Sequence, residues 1–264
     1  MNSSTASKPN VLCFSGLDSS GGAGIQADIE ALFSAGCHCL PVVTSLTVQD
    51  TRNVMSAQAV SSALLIQQAR AVLEDVPVHA VKIGLLGSIG TIEVIHTILT
   101  DYPKLPVVLD PILWAGGGYQ FSEEDIVSAL KTLLIPMSTV LTPNTHELRA
   151  LTSGADTLDA GASALMDMGC DHVLLTGTHA ESSNVVNTLY TPHQDPLNFE
   201  WPRLPNEYHG SGCTLASSLA AYLAHGCDIS EAARRAQQYT WESLNAGNRP
   251  GFGQWLPNRS YWNK

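Results

Sequence analysis

A short turn late in the chain has the residue types needed to hold an anion beside a reactive side chain. Gly210, Ser211 and Gly212 are followed by Cys213, and a run of helix-forming residues begins directly after them. The first backbone N–H groups of a helix have no partner inside the helix, and the helix dipole adds positive potential, so together they bind anions. The same position favours the thiolate of a cysteine. The turn is therefore a candidate site for a phosphate. The alternative is a glycine turn before a core helix, with Cys213 as buried filler.

Oxygen-bearing side chains follow two short apolar segments that are typical of buried strands. Asp110 comes directly after residues 107–109, and Asn144 and Glu147 follow residues 139–142. In an open parallel sheet, ligands bind at the carboxyl ends of the strands. Asn144 and Glu147 share a face of a helical turn, and oxygen ligands suit a hydrated magnesium ion. The same spacing also describes a capping box, with Asn144 as N-cap and Glu147 at N3. Asp110 as a solvated loop residue is the corresponding alternative.

A second glycine-rich segment lies near the start of the chain. An apolar strand over residues 11–16 leads into the loop 16–24, which contains four glycines in nine residues. The helix that follows has an apolar face, formed by Ile25, Ile29, Leu32 and Phe33. Neither the dinucleotide fingerprint GxGxxG nor the Walker A pattern GxxxxGK[ST] occurs, so this loop gives little support to a dinucleotide-binding protein.

Strand and helix patterns alternate along the rest of the chain. Further strands are predicted at 40–48, 78–83, 107–109, 139–142 and 173–175, and helices at 58–74, 88–99, 122–134, 159–168 and 229–245. Segments 184–191 and 197–201 alternate in polarity, which favours antiparallel strands. Repeated strand–helix units predict an α/β fold with a mostly parallel sheet and helices on both faces. We expect residues 1–9 to form a flexible leader, residues 10–264 to form a single domain, and the aromatic tail to pack over it.

Composition limits the classes of partner. The formal net charge is -11, and no Lys/Arg-rich run occurs, so we expect no nucleic-acid partner. No apolar run reaches membrane-spanning length, and the N-terminus lacks the apolar core of a signal peptide, so we expect no membrane partner. Six cysteines without CxxC spacing favour a reducing, cytoplasmic location over a disulfide framework.

The motifs at the strand ends, taken in order, resemble a known enzyme family. They are GLDSSGGAGIQAD at 16–28, TVQDT at 47–51, VKIG at 81–84, LDP at 109–111, TPNTHE at 142–147 and HGSGCT at 209–214. This ordered set resembles the hydroxymethylpyrimidine kinase/phosphomethylpyrimidine kinase of thiamine biosynthesis, in the ribokinase superfamily. The resemblance covers about residues 10–245. It implies a ribokinase-like three-layer α/β/α sandwich and suggests a homodimer.

The resemblance also implies an activity and an acceptor site. Such enzymes use magnesium and ATP to phosphorylate 4-amino-5-hydroxymethyl-2-methylpyrimidine at its alcohol, and then phosphorylate the monophosphate to the diphosphate. The small-molecule substrate would be surrounded by Gly16, Ala23, Asp28 and Gln49, and by Leu85, which stands where methionine is common. Gln49 offers both a donor and an acceptor, which suits an aminopyrimidine edge.

The remaining roles that the resemblance implies concern the phosphates. Asp110, Asn144 and Glu147 would serve Mg²⁺, partly through water, and Gly210, Ser211 and Gly212 would hold the transferred phosphoryl group. Cys213 stands where sugar-kinase relatives carry an aspartate that deprotonates the alcohol. Together with Asp110 and Asn144, Thr176 would lie at the ATP phosphates, in a position where these kinases usually carry a lysine. Arg249 is a candidate to replace that charge.

Two other functions remain open at this point. The first is a pyridoxal (or pyridoxine) kinase of vitamin B6 salvage, from the same superfamily. Such enzymes more often carry an aspartate at the position of Cys213, although examples with cysteine exist. The second is a non-catalytic pyrimidine-binding protein, suggested by the missing lysine at Thr176. Turnover on the two substrates separates the kinases, and tight binding without ADP release would identify the binding protein.

Overall fold

A single mixed sheet runs through the molecule. The computed structural model describes residues 8–115, 117–121, 124–177 and 183–263. Within them, nine strands form a sheet, which are β1 (Asn10–Leu17), β2 (His38–Gln49), β3 (Val54–Ala59), β4 (Ala80–Ile83), β5 (Val107–Leu109), β6 (Val140–Leu141), β7 (His172–Leu175), β8 (Asn184–Tyr190) and β9 (Leu197–Pro202). Their order is β3-β2-β1-β4-β5-β6-β7-β8-β9. The six strands from β2 to β7 in this order are parallel, and β3, β8 and β9 pair antiparallel at the two edges.

Helices cover both faces of the sheet. They are α1 (Gly24–Ser34), α2 (Ser62–Asp75), α3 (Ile89–Asp101), α4 (Glu124–Ala129), α5 (Thr145–Leu151), α6 (Leu158–Asp167), α7 (Ser211–Ala224) and α8 (Ile229–Asn245). A π-helical turn over Leu130–Leu134 and a 3₁₀ turn over Ile135–Met137 continue α4. One hydrophobic core lies between the sheet and helices α2, α3, α5 and α6. A second lies between the opposite face of the sheet and helices α1, α7 and α8. The predicted three-layer α/β/α sandwich is confirmed.

The buried strands are apolar because helices cover them on both sides. In β1, Leu12 and Phe14 pack into one core, while Val11 and Cys13 pack into the other. All four side chains are fully buried. The chain leaves each parallel strand at the same edge of the sheet, so the loops that carry the motifs converge there.

The inner face of α1 differs from the predicted one. Ile29 is 39% exposed and Phe33 is 71% exposed, whereas Ile25 and Leu32 are buried as expected. The helix is rotated so that Asp28, which is fully buried, faces the sheet. The apolar spacing in the sequence could not predict this rotation of α1, because Asp28 turns toward the sheet to reach a charged partner on another strand.

The prediction of a helix over residues 58–74, after β2, was also wrong in part. Residues 54–59 form the edge strand β3, and the helix begins only at Ser62. Ser61 is its N-cap, with a side-chain oxygen that accepts from the Leu64 N–H. Leu64 is 47% exposed, and Leu65 is buried instead. The other predicted strands and helices lie within a few residues of the observed bounds, including the antiparallel pair β8 and β9.

The C-terminal tail packs on the domain, as predicted. Trp255 forms a bridge with Tyr208, and Leu256 forms one with Asn248. Most of the predicted leader, residues 1–7, lies outside the described residues. The single-domain boundary stays a prediction. No helix in the described part of the chain is long and apolar enough to cross a membrane.

Candidate active site

One cavity lies where the carboxyl ends of the parallel strands meet. Its volume is about 940 Å³. Most residues that the sequence singled out line it, namely Gly16, Ala23, Gln49, Leu85, Asp110, Asn144, Glu147, Thr176, Gly210, Ser211, Gly212 and Cys213. Their roles stay predictions, but the structure brings them together, because β1, β2, β4, β5, β6 and β7 all deliver their ends to this edge.

The candidate anion site is the N-terminus of α7. Gly210 precedes the helix with φ 81°, and its carbonyl oxygen accepts the first intrahelical bond, from the Thr214 N–H at 3.0 Å. The N–H groups of Ser211, Gly212 and Cys213 therefore have no acceptor within the helix. A Cβ at Gly210 would collide with the carbonyl oxygen of Gly22, so only glycine allows this close approach.

A hydrogen bond between Asp18 and His209 joins the first glycine loop to this turn, and the sequence did not predict it. The Asp18 carboxylate accepts from His209 Nε2 at 2.8 Å and from the N–H groups of Ser20 and Ala23, each at 2.8 Å. Burial opposes its ionisation, but the bonds from His209 and Ser20 lower the pKa of Asp18 to about 2. An aspartate followed by serines and glycines is typical of a side-chain-capped turn, and that signal could have identified Asp18.

Two buried carboxyl groups stand beside the anion site. Burial raises the pKa of Asp110 to about 6, although Lys82 opposes the shift. Burial, with repulsion from Asp110, raises the pKa of Glu147 to about 8. A Cβ on Gly212 would lie 3.8 Å from Asp110 Oδ2, so this carboxyl directly faces the helix N-terminus. Two neighbouring carboxyls whose ionisation is disfavoured would be stabilised by a cation, and their oxygens fit the donor preference of Mg²⁺.

Asn144 and Glu147 form the capping box that the spacing also allowed. Asn144 Oδ1 accepts from the N–H groups of His146 (2.9 Å) and Glu147 (3.0 Å), and Glu147 Oε2 accepts from the Asn144 N–H at 2.9 Å. The cap uses both lone pairs of Asn144 Oδ1, so direct metal ligation by that atom would compete with it. In the described residues, no group of three or more His, Cys, Asp and Glu side chains is arranged to hold a metal.

Asp28 does not line the cavity, so its predicted place around the substrate is wrong. Its carboxylate is fully buried beneath the site and pairs with Lys82 Nζ at 2.8 Å. The hydroxyl groups of Ser15 and Ser217 each donate to it at 2.5 Å. A buried charge requires a charged partner, and Lys82 supplies it. Asp28 therefore ties β1, β4, α1 and α7 together under the cavity.

The Cys213 thiol is not the activated thiolate that its position suggested. Burial raises the pKa of Cys213 to about 11, and the charge of Lys82 only partly offsets this. The negative charge of the nearby Asp110 carboxyl disfavours the thiolate further. Desolvation thus outweighs the helix N-terminus, because Cys213 is 7% exposed and faces a carboxyl group.

The end of the cavity at β1 and β2 is lined by backbone, an amide and an apolar side chain. Gln49 Nε2 donates to Thr47 Oγ1, which itself donates to the Leu17 carbonyl oxygen at 2.8 Å. Leu85 is 7% exposed, and a Cβ on Gly16 would lie 2.9 Å from its Cδ2. The glycine therefore makes room for Leu85.

The opposite end of the cavity carries Thr176 and an arginine that the sequence analysis missed. The Thr176 hydroxyl lies 3.4 Å from the Pro143 carbonyl oxygen, to which it donates. Arg203 lines the same cavity and, in the described residues, no other Lys or Arg does so. Arg249 was the wrong candidate, because its guanidinium donates to the carbonyl oxygens of Phe252 and Gly253 in its own loop.

Comparisons with known proteins place the chain among vitamin kinases. The sequence model described as phosphomethylpyrimidine kinase matches residues 18–258. The chain is 38% identical, over 92% of its length, to a thiamine biosynthesis bifunctional protein of Geobacter sulfurreducens, of which it spans 51%. It is 34% identical to a hydroxymethylpyrimidine/phosphomethylpyrimidine kinase of Streptomyces coelicolor, with 93% of the chain and 92% of the relative covered. The structure of Bacillus subtilis pyridoxal kinase in complex with ADP is similar at a TM-score of 0.88 and 25% identity, covering 97% of this chain and 99% of that one.

Proposed function

Because the chain belongs to the phosphomethylpyrimidine kinase family, we propose that it uses ATP to phosphorylate 4-amino-5-hydroxymethyl-2-methylpyrimidine and then its monophosphate. One observation carries the proposal. A single cavity connects an amide-lined pocket at Gln49 to the anion site at the start of α7, with two carboxyl groups between the strand ends beside it. Phosphoryl transfer depends on alignment and charge neutralisation, and this arrangement supports both.

The N–H groups at the start of α7 receive the phosphoryl group in this mechanism. They point along the helix axis toward the cavity and stabilise charge on the equatorial oxygens. Asp110 and Glu147 would hold Mg²⁺, directly or through water, and the ion would neutralise the ATP phosphates when bound. The Asp110 carboxyl faces Gly212, so the cation and the anion site would act on the same phosphate.

In this proposal, Cys213 would lie beside the acceptor alcohol. Its thiol is protonated at neutral pH, because burial raises the pKa of Cys213 to about 11. It therefore serves the first phosphorylation chiefly as a hydrogen-bonding group, and as a base only in its rare thiolate form. The monophosphate acceptor of the second step already carries a nucleophilic oxygen anion, so it needs less help from this side chain.

Arg203 is the residue we assign to the ATP phosphates. It follows β9 directly, and its N–H donates to the Ser183 carbonyl oxygen at 3.1 Å. The preceding carbonyl, of Pro202, accepts from Trp241 Nε1 at 2.8 Å. These two bonds fix the backbone that carries the guanidinium at the wall of the cavity. A guanidinium fork matches phosphate oxygens, so Arg203 would supply the charge that Thr176 lacks.

A coupled ADP-release assay with Mg-ATP tests the proposal. Hydroxymethylpyrimidine, its monophosphate and pyridoxal are offered separately to the purified chain. We expect turnover with both pyrimidines. No ADP release with any acceptor, from folded protein that still binds hydroxymethylpyrimidine, would instead support a binding protein.

Pyridoxal phosphorylation is the second candidate. The similarity to a pyridoxal kinase over nearly the whole length of both chains supports it. An aldehyde-bearing pyridine ring also fits a pocket lined by Gln49 and Leu85. Turnover with pyridoxal alone would assign the chain to that reaction.

We also propose a homodimer formed through the edge of the sheet at β2 and β3. Leu17 pairs in register with Leu46, and these side chains, with Val48 and Met55, are 37% to 62% exposed. An apolar stripe of this kind is typical of an interface. Sedimentation of wild type and Leu46→Glu tests it, since the substitution should give monomers.

The six free cysteines support a reducing compartment such as the cytoplasm.

A further inference from the structure

Arg259, in the C-terminal tail, is buried between the two loops that frame the candidate active site. Its side chain is 2% exposed. Nε donates to Thr214 Oγ1 in α7 at 2.9 Å, and Nη2 donates to the carbonyl oxygen of Gly22 in the first glycine loop. Nη1 donates to Gly21 O at 3.5 Å and pairs with Glu30 at 3.0 Å. One guanidinium therefore connects both sides of the cavity.

The backbone that carries this guanidinium is itself fixed. The carbonyl oxygen of Arg259 accepts from Ser34 Oγ at 2.6 Å and from Tyr239 OH at 2.8 Å. The N–H of Asn258 donates to the Ser243 carbonyl oxygen at 2.9 Å. The tail is thus bound to the ends of α1 and α8, and the planar fork of Arg259 is held in one orientation.

A second link lies closer to the cavity. Trp255 N–H donates to the Glu207 carbonyl oxygen, and its own carbonyl oxygen accepts from the His209 N–H, each at 2.9 Å. His209 then pairs with Asp18 in the glycine loop. The turn before α7 and the first glycine loop are therefore tied together twice, once through Asp18 and once through Arg259.

We propose that Arg259 is a positioning residue, which sets the separation between the first glycine loop and the N-terminus of α7. The inference rests on the proposed kinase function, in which the loop borders the acceptor and α7 holds the phosphoryl group. Thr214 follows Cys213 directly in the chain, and Gly22 precedes Ala23. Cys213 and Ala23 line the cavity. The hydrogen bonds from Arg259 to Thr214 and Gly22 therefore each fix the backbone next to a cavity-lining residue. Misplacement by about 1 Å can cost about a hundredfold in rate. Arg259 lies just beyond the residues that match the family model, which end at 258.

Steady-state kinetics and hydrogen exchange on the full chain test this role. Arg259→Gln should lower kcat about 10- to 100-fold for both pyrimidine acceptors, while KM for the acceptor and for ATP stays within about threefold. Amide exchange should accelerate in peptides covering 18–24 and 209–214. Arg259→Lys keeps the charge near Glu30 but lacks the fork, so it should lose nearly as much activity.

Arg249→Gln is the matched control. Its guanidinium lies in the same tail but bonds only carbonyls of its own loop, so kcat and exchange at both segments should match wild type. If Arg259→Gln does not yield folded protein, Thr214→Val is measured instead. It removes the α7 hydroxyl that accepts from Arg259 Nε, so the same fall in kcat and the same faster exchange are expected. Wild-type kcat in Arg259→Gln, or full activity in Arg259→Lys, would overturn the proposal. A wild-type chain without turnover would refute the proposed function alone, because the exchange comparison would still decide the role of Arg259.

Discussion

Replacing Lys82 by methionine should destabilise the protein, because a buried carboxylate loses its charged partner. Lys82 and Asp28 are both fully buried and pair at 2.8 Å. Removing one partner of a buried pair costs about 3–5 kcal/mol, because a charge is left unpaired. The hydroxyl groups of Ser15 and Ser217 still donate to Asp28 in this variant, but neither carries a charge.

The loss of unfolding free energy in Lys82→Met should therefore be about 3–5 kcal/mol. Methionine has nearly the length of the lysine stem, so a cavity adds little to this loss. The melting temperature should fall by about 6–20 °C.

Urea unfolding at pH 7, followed by circular dichroism, measures this difference. The matched control is Lys82→Met with Asp28→Asn. Its neutral amide oxygen can still accept from the hydroxyl groups of Ser15 and Ser217, so its destabilisation should be smaller than that of Lys82→Met. An equal loss in the two variants would refute the argument that the unpaired charge causes the destabilisation.

Three further predictions concern the cavity. Cys213→Ala should lower the rate of the first phosphorylation about tenfold and that of the second by less, because only the alcohol acceptor needs the hydrogen bond that the thiol supplies; equal losses in ADP-release rates would contradict this. Asp18→Asn should remove a contribution to unfolding free energy of about 1–2 kcal/mol. Because the pKa of Asp18 is lowered to about 2, that contribution is present above about pH 4 and is lost as pH falls toward 2; urea unfolding of both proteins at pH 3 and pH 6 checks it, and a pH-independent difference would exclude it. Arg203→Gln should weaken ATP binding about tenfold in calorimetry but leave adenosine binding unchanged, with the exposed Arg70→Gln as control; equal losses for both ligands would show that Arg203 does not contact phosphate.

The sequence predicted the fold and the location of the site well, because both depend on local patterns. Short apolar segments predicted the parallel strands, and the residue that follows each strand then had to lie at one edge of the sheet. This is why Asp110, Glu147 and Gly212, which are far apart in the chain, were expected together. The Asn144 and Glu147 spacing even described the observed capping box, although it could not decide between a cap and a metal site.

The errors arose where a long-range partner decides the outcome. Asp28 looked like a ligand-binding residue because its buried partner, Lys82, lies 54 positions away. The thiolate prediction for Cys213 considered the helix N-terminus but not burial or the facing carboxyl of Asp110. Arg203 was missed because β9 shows no motif, and its place at the cavity depends on the antiparallel pairing of β8 and β9.

The links at Asp18 and Arg259 also bear on when the site can form during folding. Asp18 and His209 are 191 positions apart, and Gly22 and Arg259 are 237 apart. Contacts between such distant parts of a chain close the largest loops and form late, so they slow folding. During synthesis, the first glycine loop leaves the ribosome long before its partners do. The parallel sheet can assemble first, and the anion site becomes complete only when the last residues of the tail have docked.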